Sequence, residues 1–134
     1  MRKILFRGKN EDGKWVEGWF EMYPFGCWPV KAAIIPSEEA IEGHYHHVKV
    51  DPKTVGQYTG LLDRNGSKIF ENDICQDKKT GKIVCVKWHG TMAGFVWHKR
   101  KENSDLFDFG ELLRANDKYE VIGNVHDNPE LLEV

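Results

Sequence analysis

An all-β fold, a small barrel or sandwich-like meander with one or two very short helical turns, is what this sequence predicts. Three observations carry that expectation. The first is turn chemistry: Asn65-Gly66 and Asp12-Gly13 are strong hairpin dipeptides, and apolar or aromatic residues flank both. The second is spacing, because short β-type runs recur roughly every 8–12 residues between Gly and Asn/Asp punctuation. The third is periodicity: no stretch supports a helix longer than about two turns.

Taken in order, Ile4–Arg7 reads as a first strand and Asp12-Gly13 as the turn after it. Trp15, Val16, Trp19 and Phe20 form an aromatic strand interrupted by Gly18, which marks a bulge or the close approach of another backbone. Three prolines between Glu21 and Pro36 make Tyr23–Pro29 an irregular loop, ahead of a short strand over Lys31–Ile35. Ser37 can cap one helical turn, Ser37–Ala40, which Gly43 stops. His44–Val50 alternates as a strand, and Asp51-Pro52 punctuates it.

Val55–Asp73 is the stretch around which the chain is organised. It reads as a strand, a type I′ turn at Asn65-Gly66, a second strand and a second turn at Glu71-Asn72-Asp73. Ile74–Gln76 and Lys82–Trp88 follow as strands around an Asp77–Gly81 turn. The Lys82–Trp88 run has no clean polar face, which predicts a strand covered on both sides. Gly90–Gly94 turns the chain into Phe95–His98, and Lys99–Asp105 is a polar loop. Leu106, Phe107 and Phe109 suggest another short strand, with Leu112-Leu113 beyond it. Tyr119–Val125 is the last strand, and Asn128-Pro129 opens a terminal helical turn with Pro at its first position.

The 134 residues fit a single compact domain, 1–134. A soft boundary near Asp51-Pro52 divides it into an irregular β lobe, 1–51, and a meander or barrel lobe, 52–134. The formal charge of −2, from nearly balanced signs, gives no strong electrostatic footprint for nucleic acid. No apolar run approaches the roughly 20 residues of a membrane span. The opening MRKILFRGKN has too short an apolar stretch for a signal-peptide core, so the expected setting is the cytoplasm. Cys27, Cys75 and Cys85 have no CxxC spacing and read as buried thiols, with Cys75 and Cys85 in the flanks of one hairpin.

Three constellations could carry chemistry. His44 and His46 stand at i and i+2, so one strand face would carry both, with His47 on the other. A metal would need further ligands from Cys27, His89, His98, His126 or a carboxylate, none at a motif spacing; a half-exposed polar strand is the plainer reading. Glu71 and Asp73, with Asp63 across the hairpin, could split their pKa values as an acid–base pair. Carboxylates beside turns more often accept backbone amides. Lys99, Arg100 and Lys101 follow Trp97, with Trp88 nearby, a pattern that suits single-stranded nucleic acid on a small barrel. Glu102, Asp105 and Asp108 follow at once and favour a solvated loop.

Five tryptophans, Trp15, Trp19, Trp28, Trp88 and Trp97, exceed the needs of a core this small, and Trp is enriched at interfaces. Trp28, in the irregular loop between Gly26-Cys27 and Pro29, is the leading candidate for an exposed anchor. Sheet edges need covering, and self-association is one way to do it.

The blocks MRKILFRGKN…GKWVEGWF, VDPKTVGQYTGLLDRNGSKIFENDI, GKIVCVKW, GFVW and YEVIGNVHDNPELL together resemble the YopX family of phage and prophage proteins. The resemblance runs in order over nearly the whole chain. It implies β architecture, a phage or prophage origin and an intracellular setting, and it carries no catalytic residue. Where the family usually reads Glu-Gly-Asp, this chain has Glu71-Asn72-Asp73; Asn is the next-best residue for positive φ, so the turn survives. The reading that follows is a non-enzymatic homo-oligomer without cofactor, acting by contact with a phage or host protein. Single-stranded nucleic acid binding and a weak metal-dependent enzyme are the alternatives.

Overall fold

Asn or Asp at the start and a left-handed Gly at the end define three hairpin turns of this chain, and the strands take their register from them. The computed structural model describes residues 3–22, 32–36, 46–90, 94–99 and 115–132. Among these, the strands are β1 (Phe6–Lys9), β2 (Trp15–Met22), β3 (Ala32–Pro36), β4 (Val48–Lys49), β5 (Gly56–Leu62), β6 (Lys68–Phe70), β7 (Asp73–Asp77), β8 (Ile83–His89), β9 (Gly94–Lys99) and β10 (Tyr119–Asn124). One helical turn, α1 (Ala115–Lys118), and two 3-10 turns, Pro52–Thr54 and Pro129–Leu132, complete the elements.

The strands form two sheets, β4-β3-β2-β1-β5-β6 and β10-β7-β8-β9, and the pairings are antiparallel. The all-β expectation holds, with helices no longer than a turn among the described residues. Neither sheet closes into a barrel. The chain divides into two compact units, Met1–Tyr58 and Thr59–Val134. The soft boundary expected near Asp51-Pro52 lies within the first of these units.

In the first unit, Asn10 opens the β1–β2 turn. Its Oδ1 accepts the N–H of Asp12 and of Lys14, and its carbonyl accepts that of Gly13, whose φ is +76°. Between β1 and β3, strand β2 buries one stripe and exposes the other. Val16 and Phe20 pack on Ala32, Ile34 and Val50, and Phe20 tilts onto Phe6 at 5.6 Å. Asp51 caps the Pro52–Thr54 turn by accepting the N–H of Lys53, and the Thr54 hydroxyl accepts the N–H of Lys9 at 2.9 Å. Gly18 is a close approach and not a bulge. The β2 register runs through it without a shift, and a Cβ there would lie 1.9 Å from the Ile35 carbonyl oxygen.

The second unit repeats the turn recipe. Asp63 opens the β5–β6 turn: its Oδ1 accepts the N–H of Asn65 at 2.8 Å and of Ser67 at 2.9 Å, and its carbonyl accepts that of Gly66. Gly66 sits at φ +81° whereas Asn65 keeps a negative φ. The predicted type I′ turn is therefore corrected to a three-residue loop, a type I turn closed by a left-handed Gly. The physical reason is Asp63, whose side chain holds Asn65 and Ser67 in the type I geometry. Asp77 opens the β7–β8 turn likewise, accepting the N–H groups of Lys79 and Thr80, with Gly81 at φ +75°.

Strand β8 is buried on both faces over Val84–Val86, as its unbroken apolar run predicts, and β7 is buried on both faces as well. Cys75 lies opposite Val84 and Ile74 opposite Cys85, so the two cysteines point to opposite sides of the sheet. On one side Ile69, Cys75, Val84, Val86 and Tyr119 form the core, joined by Leu61, Phe95 and Val121. Each fully buried Ile or Val there contributes about 1.5–3 kcal/mol of transfer free energy. Asn72 is the one non-glycine residue at positive φ (73°) among those described, and it turns β6 into β7. Its N–H donates to the Val86 carbonyl, its carbonyl accepts from Val125, and its Oδ1 accepts from Lys87 Nζ at 3.0 Å.

Other expectations need correcting. The strand over His44–Val50 shrinks to Val48–Lys49 among the described residues, with Val50 in an isolated bridge to Asn10. Lys99 closes β9 instead of opening a loop, and α1 was not foreseen. The expected Tyr23–Pro29 loop, Ser37–Ala40 turn and Leu106–Leu113 segment lie outside the described residues. The close approach at Gly18 sets a test: Gly18→Ala should lower the unfolding free energy by about 2–3 kcal/mol in urea titration, because backbone must move. A loss below about 0.5 kcal/mol, the scale of an ordinary surface substitution, would contradict that packing.

Candidate interaction surface

Strand β8 carries Val84, Val86 and Trp88 on one side. The two valines are fully buried, while Trp88 is 50% exposed, so the apolar stripe runs out into solvent at its last member. Trp88 lies opposite Phe95 of β9, with the ring centroids 5.1 Å apart and the planes at 75°. That edge-to-face pairing contributes about 0.5–1.5 kcal/mol and fixes the indole in place. A large, rigid, half-exposed ring loses little entropy on meeting a partner.

The first unit presents a second aromatic stripe. Trp15, Glu17, Trp19 and Glu21 alternate along one face of β2. Trp15 lies opposite Lys9, and both the Arg7 guanidinium, at 4.6 Å, and the Lys9 ammonium, at 5.4 Å, sit over its ring. Four residues along, Trp19 is 55% exposed. His47 Nδ1 pairs with Glu21 Oε2 at 3.1 Å, and Lys49 with Glu11 at 3.2 Å.

Of the residues singled out from sequence, Trp88 is thus an exposed ring. Trp97 and Lys99 belong to β9, where the register sets them opposite Val86 and Val84. Trp28, Arg100, Lys101 and His44 lie outside the described residues. His46 is exposed and precedes β4, and no group of three or more His, Cys, Asp or Glu that could hold a metal occurs among the described residues. Of the carboxylates considered for acid–base work (Glu71, Asp73 and Asp63), two accept backbone amides: Asp73 Oδ2 takes the Phe70 N–H at 2.7 Å, and Asp63 takes three amides. Trp19 stands among the five surplus tryptophans of the sequence without being marked as an anchor. The alternation Trp15-Glu17-Trp19-Glu21, which puts it beside two charged residues, is the signal that could have found it.

The ionisable groups follow their surroundings. Backbone N–H bonds from Lys79 and Thr80 lower the Asp77 pKa, so its support for the fold is present near neutrality and lost as pH falls through that lowered value. Burial raises the Cys85 thiol to about 11, which leaves it protonated and unreactive at physiological pH. Cys75 is also buried, and neither is in a disulfide. Because the folded pKa of Cys85 lies above its unfolded value of 9.0, its contribution is intact below pH 9 and disappears toward pH 11. The wild type should therefore lose about 2 kcal/mol more than Cys85→Val between these pH values in urea titrations. Parallel pH profiles for the two proteins would contradict the burial argument.

Residues 6–133 match the family model described as YopX protein. No curated protein matches the chain. Among solved structures, the chain is similar to protein EF1440 from Enterococcus faecalis, with 26% identity and a TM-score of 0.58 over 99% of this chain and 100% of that one.

Proposed function

This chain belongs to the YopX family, and from that premise we propose that it works by protein–protein contact, self-association included, and not by catalysis. The observation that carries the reading is Trp88, a half-exposed indole braced by Phe95 at the open end of a buried stripe. Such rings anchor interfaces because they bury a large area and have few torsions to lose. Trp19 offers a second anchor on the other unit. The family resemblance supports a phage or prophage setting, with a phage or host protein as the partner. A cytoplasmic location goes with that reading.

A second reading, single-stranded nucleic acid stacked on Trp88, draws on Trp97 and Lys99 in the neighbouring strand. The near-neutral balance of charge weighs against it.

Sedimentation velocity over a concentration series, with and without Trp88→Ser, separates these readings. Self-association should appear in the wild type and weaken at least about 30-fold in the variant, the ~2 kcal/mol of an interface hot spot. A wild type that stays monomeric, captures no protein from host or phage-infected lysate and retains an oligonucleotide at low salt would overturn the first reading in favour of the second.

A further inference from the structure

We propose that Asn65-Gly66 is a spontaneous modification site, a deamidation site that the folded β5–β6 turn holds in check. Of all the asparagines in the sequence, Asn65 alone precedes glycine. Both residues are exposed, and the missing Gly66 side chain leaves the following peptide nitrogen without a steric shield, with nothing within 4 Å of a built Cβ.

The reaction needs only water. The Gly66 backbone nitrogen gives up its proton to hydroxide and bonds to the side-chain carbonyl carbon of Asn65. The carbon–nitrogen bond of the side-chain amide then breaks, and ammonia leaves with a proton from solvent. Water opens the resulting five-membered imide at either carbonyl, giving aspartate or isoaspartate. No electron changes hands.

In the folded turn the attacking nitrogen is occupied. The Gly66 N–H donates to the Asp63 carbonyl at 3.0 Å, while Asp63 Oδ1 holds the N–H of Asn65 at 2.8 Å and of Ser67 at 2.9 Å. A hydrogen bond to that N–H opposes its deprotonation, and the fixed loop opposes the torsion that brings the nitrogen to the side chain. Attack requires the loop to open first. The product would then resist closing again. It adds a negative charge two residues from the buried Asp63 carboxylate, and the isoaspartate form inserts an extra methylene into the backbone. Asp63 also accepts the Val121 N–H, so the modification loosens the hold of the turn on β10.

The test compares one full-length chain in two states at mildly alkaline pH, native and in denaturant, with peptide mapping by mass spectrometry. Deamidation in the denatured chain should begin at Asn65, with aspartate and isoaspartate both found there, and Asn65→Gln should remove that first phase. The native chain should react at least about tenfold more slowly, as expected when local opening limits the rate. Equal rates in the two states, or a faster reaction at another asparagine, would overturn the proposal.

Discussion

One carboxylate ties together three places in the second unit. Asp63 accepts the amides of Asn65 and Ser67 within its own turn and, through Oδ2, the amide of Val121, which is 58 residues along the chain. Its neighbour Arg64 donates its N–H to the Tyr119 carbonyl at 2.9 Å, so turn and strand are joined twice. Hydrogen bonds to a carboxylate contribute about 1.5–3 kcal/mol each, and a buried carboxylate left without them would cost more than it returns. Asp63 is only 3% exposed, so it favours the native geometry over alternatives in which these amides point elsewhere.

The core depends on that anchorage. Tyr119 and Val121 pack against Ile69, Cys75, Val84 and Val86, and the Asp63 contact fixes where β10 meets them. A bulge between Val121 and Gly123 shifts the β10 register against β7 next to the same contact. The turn at Asn72 adds a second brace by bonding to both Val86 and Val125. Local turn chemistry and long-range packing thus converge on a few residues, as expected of a sequence whose levels agree.

Much of this was legible in the residues themselves. Asn-Gly, Asp-Gly and the Asp77–Gly81 run located hairpin turns because positive φ is cheap only for Gly and, next, Asn; Asn72 at φ 73° follows the same rule. The doubly buried β8 was legible because its apolar run does not alternate. What escaped was partly local and partly set at long range. Asp63 selects the type I turn through Asn65 and Ser67, a cue that the Asn-Gly dipeptide overshadowed, whereas its bond to Val121 lies beyond any local window. Among the described residues of His44–Val50, the ladder is confined to Val48 and Lys49 by their partners Ile34 and Ala33, which a local window does not contain. Trp88 was an interaction candidate from its type, while the exposed-anchor expectation fell on Trp28; the exposure of Trp88 and its brace by Phe95 depend on a β8–β9 register that only the fold supplies.

The aromatic surface depends on the Asp63 anchorage, because a small sheet unit held rigid by turn hydrogen bonds can present an indole in a fixed pose. Amide hydrogen exchange on the intact protein tests this most directly. The N–H groups of Asn65, Ser67 and Val121 should exchange as slowly as those of the buried strand β8, although two of them lie in an exposed turn. Exchange of these three at the rate of open loops, with Val84 and Val86 still protected, would contradict the account.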